Sequence, residues 1–183
     1  MTSSRTLTVK RGDDFQYQHG FMLNGGRYVD DLNVTNGSAV ATSATADFVA
    51  SDVGALVATS DGSGIVDGTT ILSVDSATQI TLDANADATG TVGATIRAKD
   101  CSGFSAHYAQ YRKWEDEADT EMVSFSVDAS RDAVGVFVLS LTDTQTELLT
   151  SDGVWDWQAT IAGFGVRTLR GGRLALEKDT ARP

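Results

Sequence analysis

The chain has 183 residues, a length that suits one ordinary domain or two small ones. Its net charge of −11 disfavours nucleic acid and anionic membrane surfaces as partners, because both attract clustered lysine and arginine. A single cysteine, Cys101, excludes an internal disulfide and a cysteine-based zinc site. No signal peptide or apolar run of transmembrane length is recognisable, so a soluble protein is expected.

Charged and aromatic residues are distributed unevenly along the sequence. All 14 Lys and Arg residues, and every aromatic residue except Phe48, lie outside residues 32–96. The charged residues inside this window are aspartates, at positions 47, 52, 61, 67, 75, 83 and 87. A change of composition this sharp at both edges predicts an inserted domain. We therefore expect a discontinuous domain made of residues 1–24 and 97–183, interrupted by a small domain at 25–96.

Alternation of apolar and polar residues, rather than helical periodicity, dominates the first half of the chain. It predicts N-terminal strands at 6–10 and 15–23. Within the insert it predicts strands at 38–42, 55–60, 69–74, 78–82 and 93–98, with a single helical turn at 50–54. Strict alternation of valine, isoleucine and leucine over 71–82 requires a buried face, which favours a folded module around Phe48 over a disordered spacer.

The C-terminal half continues the same pattern. Strands are predicted at 103–114, 122–127, 136–141 and 154–161, with a threonine-capped helical turn in 142–153. Residues 166–179 predict a final hairpin with Leu174 and Leu176 facing inward. Short strands with turns between them are typical of a β-sandwich. The predicted fold class is therefore all-β: an immunoglobulin-like antiparallel β-sandwich with a second small β domain inserted.

Residues capable of catalysis or metal binding are few and scattered. His19 and His107 are the two histidines and lie far apart, and no nucleophile-elbow, phosphate-loop or zinc-protease motif occurs. Asp83 begins a partial calcium-loop pattern, but the pattern fails at its sixth position and at Ala94, its twelfth. We predict no catalytic, cofactor-binding or metal-binding residues, no cofactor, and no enzymatic activity.

Two sets of side chains are candidates for a protein interface. The two tryptophans of the 154–161 strand share one face, which favours a core or an interface over the alternative of stacking on sugar rings. Three arginines near the C-terminus are hypothesised to pair with the acidic loop at 114–121 of a neighbouring subunit; a solvated loop is the alternative. The candidate interface residues are Trp155, Trp157, Arg167, Arg170, Arg173, Glu115 and Glu117.

The insert contains a series of short phrases. They are SATADF at 43–48, DVG at 52–54, GIVDGTTI at 64–71, SATQITL at 76–82 and ANADATGT at 84–91. As a series, these phrases resemble a small β module that recurs in virion proteins of tailed bacteriophages. The stretch at 59–68 is longer and more acidic than its counterpart in that module.

The flanks carry a second set of phrases, at 10–15, 100–112, 153–158 and 172–182. These resemble small β-sandwich proteins of phage tails, baseplates and fibre adaptors, although Cys101 stands where leucine is usual. Together the resemblances imply a non-enzymatic structural component of a tailed-phage virion, a connector or adaptor at the tail, baseplate or fibre attachment. They imply other virion proteins and copies of itself as partners, and a location in the virion, assembled in the host cytoplasm. The alternatives are a capsid decoration or cement protein and, in a different class, a host-glycan-binding module.

Overall fold

The computed structural model describes residues 5–113 and 122–177, and these residues form an all-β fold with several antiparallel sheets, as predicted. In chain order, the strands are β1 (Leu7–Lys10), β2 (Phe15–Gly20), β3 (Met22–Val34), β4 (Val40–Thr42), β5 (Val57–Thr59), β6 (Ile71–Ser76), β7 (Gln79–Leu82), β8 (Gly90–Ala98), β9 (Phe104–Lys113), β10 (Met122–Ser124), β11 (Ser126–Arg131), β12 (Val136–Leu141), β13 (Gly153–Ile161) and β14 (Gly165–Glu177). The helical elements are α1 (Asp143–Glu147) and two 3-10 turns, Ala50–Asp52 and Asp132–Val134. The immunoglobulin-like arrangement of the strands stays a prediction.

The chain divides into two compact units. Unit 1 comprises Met1–Gln18, Gly103–Ala129 and Val138–Pro183, and unit 2 comprises His19–Ser102 and Ser130–Phe137. The predicted boundaries of the insert fall inside β3 and β8, which pair with each other in unit 2. Independent folding of residues 25–96 stays a prediction.

Unit 1 contains a five-stranded sheet in the order β1-β14-β13-β9-β10. Strand β13 pairs antiparallel with both β14 and β9, whereas β1 joins β14 in parallel. Alternate β13 residues are buried, and Tyr17 and Phe125 pack against the ring of Trp155, with centroid distances of 5.8 and 6.5 Å. The core of unit 1 therefore lies on the tryptophan face of this sheet.

Strand β14 corrects one prediction, because the described part of the predicted hairpin, residues 166–177, contains no turn. Residues Gly165–Glu177 run as one strand, with Leu174 buried and Leu176 only partly buried. Adjacent glycines ordinarily indicate a turn, but here a Cβ at Gly172 would lie 2.1 Å from the carbonyl oxygen of Arg5. The glycine is needed because the backbone of Arg5 approaches the strand closely at that point.

A three-stranded sheet has the order β11-β12-β2. The short helix α1 follows β12 and confirms the predicted threonine cap. The Thr142 hydroxyl accepts a hydrogen bond from the Gln145 amide at 3.2 Å, and the Gln145 side chain accepts one from the Thr142 amide at 2.9 Å. This reciprocal pair satisfies donors that a helix of five residues would otherwise leave open.

Unit 2 contains a six-stranded sheet in the order β5-β8-β3-β4-β7-β6. The ends of this sheet also meet, since Leu56 bridges Thr70 and the Ile71 amide donates to the Ala55 carbonyl at 3.0 Å. We call it the closed sheet. Its interior confirms the buried face expected around Phe48. The buried residues that pack together there are Val29, Leu32, Val34, Ala41, Ala46, Phe48, Val57, Ile65, Ile71, Ile80, Leu82, Ala86, Ala94 and Ile96.

Residues 130–137 pack against the closed sheet as part of unit 2. Val134 and Val136 bury Ala58 of β5 and Ala98 of β8. The Phe21 amide donates to the carbonyl of residue 135 at 2.9 Å. Gly135 has a φ of 70°, and a Cβ on this residue would lie 2.2 Å from the carbonyl oxygen of Lys99, so glycine is required. Unit 2 is therefore completed by a segment distant from it in sequence.

Candidate functional site

Trp155 and Trp157 lie inside unit 1, with 2% and 0% of their surfaces exposed. The indole N–H of Trp155 donates to the carbonyl oxygen of Arg5 at 3.1 Å, as a buried indole requires. Neither ring presents a face on which a sugar or a partner protein can stack. Their burial argues against both as interface residues, and it removes the observation behind the glycan-binding alternative.

The three C-terminal arginines do not form a single patch. On β14, Arg170 lies opposite Trp157 and Arg167 opposite Ala159, whereas Arg173 lies opposite Val154 on the other face of the sheet. Arg173 is 3.3 Å from the Asp152 carboxylate in an exposed ion pair, a type that contributes little to stability. Arg167 is exposed, and its guanidinium donates to the Val166 carbonyl at 3.4 Å. Glu115 and Glu117, the hypothesised acidic partners, lie outside the described residues.

The loop joining β13 to β14 presents an apolar surface that sequence reasoning missed. Residues 162–168 are all exposed, and we call them the hairpin tip. Phe164 and Val166 have 67% and 61% of their surfaces exposed. The Phe164 amide donates to the Ile161 carbonyl at 2.9 Å, which closes the turn. The signal was present in the phrase AGFG, an aromatic residue between two glycines where no burial is available.

Asp31 organises the first part of the insert's signature. Its carboxylate accepts hydrogen bonds from the Ser43 and Thr45 hydroxyls and from the amides of Ala44 and Thr45, at 2.9 and 3.1 Å. These bonds, with the Ser43 bond first, hold the pKa of Asp31 below its ordinary value. The small polar residues of the SATADF phrase are therefore partners of a carboxylate on β3.

Asp52 lies at the centre of a second and more deeply buried node. Its fully buried carboxylate accepts from Arg27 Nη2 at 2.7 Å, from Arg97 Nε at 2.8 Å and from the Val49 amide at 3.0 Å. Burial by itself raises the pKa of Asp52, but the hydrogen bonds from the two arginines and from Val49 outweigh it and lower the pKa to about 2. We call Arg27, Asp52 and Arg97 the arginine node. It explains why the DVG phrase carries an aspartate.

The same arginines also hold the loop that surrounds them. Arg27 donates to the carbonyl of Ala46 and lies over the Phe48 ring, 5.7 Å from its centroid. Arg97 donates to the carbonyl of Ser51 at 2.6 Å and to its hydroxyl at 2.7 Å. The loop at 46–52 is thereby fixed at several points between β4 and β5.

Two further aspartates of the insert, Asp83 and Asp67, act in the same way. Both carboxylate oxygens of Asp83 accept from Thr70, at 2.8 Å from its amide and its hydroxyl. Asp67 receives two bonds from Arg131, at 2.6 and 2.8 Å, and the Arg131 guanidinium passes 3.3 Å from where a Cβ on Gly62 would lie. The longer, acidic stretch at 59–68 therefore binds the segment that completes unit 2. Among residues 5–113 and 122–177, no three His, Cys, Asp or Glu side chains are grouped as metal ligands.

Three aliphatic side chains are exposed beside the arginine node. Val49 and Val53 flank the 3-10 turn Ala50–Asp52, and Leu72 lies on β6, which contacts that turn. About half of each valine and 61% of Leu72 is exposed. We call these three residues the aliphatic patch. Exposed Asp47 and Asp75 are close to it in the chain.

Neither models of known protein families nor curated protein sequences give a match to this chain. In the part of the chain that the structure describes, no helix has the length and apolar character to cross a membrane.

Proposed function

We propose that this chain is a non-enzymatic structural component of a tailed-phage virion, a connector or adaptor at the tail, baseplate or fibre attachment. The observation that carries the proposal is the structural role of residues from the phage-like phrases. Ser43, Asp52 and Thr70, one from each of three phrases, are all engaged in hydrogen bonds that hold loops of the closed sheet. Because these residues hold the loops in place, the phrases identify a type of structure and not a reacting group.

The chemistry of the polar residues supports an assembly role. A catalytic site needs titratable groups that are accessible and tuned for proton transfer near neutral pH. Asp31 and Asp52 instead have pKa values lowered by fixed donors, so both remain charged and engaged at neutral pH. Their role in this proposal is to hold surface loops rigid, and rigid loops lose less entropy when a partner binds.

In the proposal, unit 1 is an immunoglobulin-like sandwich that binds other virion proteins, and unit 2 is the inserted module. The exposed hairpin tip supports this assignment, because an exposed Phe and Val beside an Arg are typical of interface residues. No nucleic acid, membrane or cofactor has a role in it.

Locating the chain in purified particles tests the proposal. Particles are disassembled into head and tail fractions, and each fraction is quantified by mass spectrometry against a known major protein of that fraction. We expect the chain in the tail fraction, in several copies per particle. Recovery in the head fraction would instead favour a capsid decoration protein, and absence from intact particles would refute a virion role altogether.

A further inference from the structure

We propose that Asn24 and Gly25 form a self-modifying site, in which the side-chain amide of Asn24 is converted into a carboxylate through a cyclic imide. The inference goes beyond the proposed assembly function and does not depend on it. It rests on a bulge in β3 and on the contact of Arg97 with the peptide group that reacts. A second Asn-Gly pair, Asn36 and Gly37, has backbone amides held by hydrogen bonds and serves as the comparison.

The reaction needs only groups of the chain and water. The backbone nitrogen of Gly25 loses its proton and attacks Cγ of the Asn24 side chain. A carbon–nitrogen bond forms there, and the side-chain nitrogen takes up a proton and leaves as ammonia. Water then opens either carbonyl of the cyclic imide, which yields aspartate or isoaspartate at position 24. Glycine favours the attack because it has no side chain to crowd the nitrogen.

The bulge places this Asn-Gly pair outside the regular ladder of unit 2. The register of β3 with β8 is interrupted between Met22 and Arg27, and the reacting pair lies in the interruption. Asn24 and Gly25 are both exposed there, and Gly25 has a φ of 78°. A bulge disrupts the ladder locally, so its backbone can reach the geometry of attack without opening the paired strands.

Arg97 gives an electrostatic reason for reaction at this pair. Its Nη1 atom donates to the carbonyl oxygen of Asn24 at 3.5 Å and lies 3.6 Å from where a Cβ on Gly25 would be. That carbonyl and the Gly25 nitrogen belong to one peptide group, so a positive charge beside its oxygen favours loss of the proton from its nitrogen. Arg97 is itself fixed, because Asp52 and Ser51 accept its other donors at 2.6 to 2.8 Å.

The second Asn-Gly pair has the same local sequence and a different environment. Asn36 and Gly37 are also exposed parts of unit 2, and Gly37 also has a φ of 78°. The Asn36 amide, however, donates to the Thr89 hydroxyl at 2.9 Å, and the Gly37 amide donates to the Ala86 carbonyl at 2.8 Å. The Gly37 nitrogen must give up its hydrogen bond before it attacks. The fold therefore protects this pair and leaves the first one reactive.

Modification at position 24 changes the charge beside the arginine node. Arg27, Asp52 and Arg97 carry one net positive charge, since two arginines share one carboxylate. A new carboxylate on residue 24 offsets that charge and competes with Asp52 for Arg97. Isoaspartate also lengthens the backbone of the bulge. The reaction therefore alters an exposed part of unit 2 without any enzyme.

The unsubstituted full chain provides the main test. It is incubated in mildly alkaline buffer, once folded and once unfolded in urea, and peptide mapping by mass spectrometry follows the conversion of amide to acid at Asn24 and Asn36. We expect Asn24 to react at least as fast in the folded chain as in urea. Asn36 should react at least about tenfold more slowly when folded, because its hydrogen bonds must open first. Equal slowing of both sites by folding would overturn the proposal.

Two variants test the contacts that set the rates, and neither alters a reacting residue. Arg97→Gln should slow Asn24 about three- to tenfold in the folded chain and leave its rate in urea unchanged. Protection of Asn36 in that variant shows that unit 2 is still folded, and an unchanged rate at Asn24 would then refute the role of Arg97. Thr89→Val, at an exposed position, should speed Asn36 about two- to fivefold without changing Asn24. The comparison with urea requires no variant, so it decides even where Arg97→Gln does not fold.

Discussion

Replacing Asp52 with asparagine tests whether the arginine node stabilises unit 2. The substitution keeps the shape, removes the charge, and turns one acceptor into a donor that faces an arginine. Three short hydrogen bonds to a buried carboxylate are affected, at 2.7, 2.8 and 3.0 Å. Breaking a buried pair costs about 3–5 kcal/mol. Because Arg27 and Arg97 keep 26% and 22% exposure and can partly rehydrate, we expect about 3 kcal/mol, roughly a hundredfold in the opening equilibrium.

The assay must report on unit 2, and the fluorescence of Trp155 and Trp157 does not, because both lie in unit 1. Amide hydrogen exchange measured by mass spectrometry over β4 and β7 follows opening of the closed sheet directly. Asp47→Asn is the matched control: it removes the same charge from an exposed position in the same loop, and surface changes of this kind stay within about 0.5 kcal/mol. Equal protection in Asp52→Asn and Asp47→Asn would refute the structural role of the node.

The dependence of stability on acid pH provides a second test of Asp52. The folded pKa of Asp52, about 2, lies below its ordinary value of 3.8, so the unfolded chain binds the proton first. The contribution of Asp52 to the free energy of unfolding, about 2 kcal/mol, is therefore fully present above about pH 4. It is lost as the pH falls toward 2. Between pH 4 and pH 2 the stability of Asp52→Asn should fall less steeply than that of the parent chain. Parallel curves would contradict the assigned pKa.

Three further changes test other parts of the fold. Gly172→Ala should destabilise unit 1 by more than about 2 kcal/mol in urea unfolding followed by tryptophan fluorescence, because the added Cβ meets backbone; Gly103→Ala, with open space around it, should have almost no effect. Arg131→Gln should speed hydrogen exchange over residues 59–68 by releasing Asp67, and unchanged exchange would show that the ion pair does not hold this loop. Thr142→Ala should cost about 1 kcal/mol through loss of the helix cap, measured by the same urea titration, and a loss below about 0.3 kcal/mol would mean that the cap is dispensable.

The sequence predicted those features that depend on neighbouring residues. Alternation over 71–82 located the strands and the buried face, and the residues after Thr142 identified it as a helix cap. Both are possible because periodicity and capping are local properties. Strand β14 was missed because the glycine pair at 171–172 reads locally as a turn. Only the close approach of the Arg5 backbone, more than 160 residues earlier in the chain, explains Gly172.

The candidate site was the harder part for the same reason. Asp52 is separated by 25 residues from Arg27 and by 45 from Arg97, so no spacing rule connects them. The two tryptophans were correctly placed on one face, but a strand pattern does not say whether that face meets a core or a partner. The hairpin tip lay in a turn phrase, where sequence reasoning looks for backbone geometry and not for binding.

The segment at 130–137 decides how the insert should be tested as a separable module. Its valines, Val134 and Val136, pack with Ala58 of β5 and Ala98 of β8, and Arg131 forms an ion pair with Asp67. A deletion limited to 26–96 would expose those valines and leave Arg131 without its aspartate, so failure of the remainder to fold would not show that the insert and its host are one domain. A deletion that also replaces Val134, Val136 and Arg131 with polar residues removes this ambiguity. If only this second variant folds, the insert and the segment at 130–137 that packs against it belong together as one structural unit.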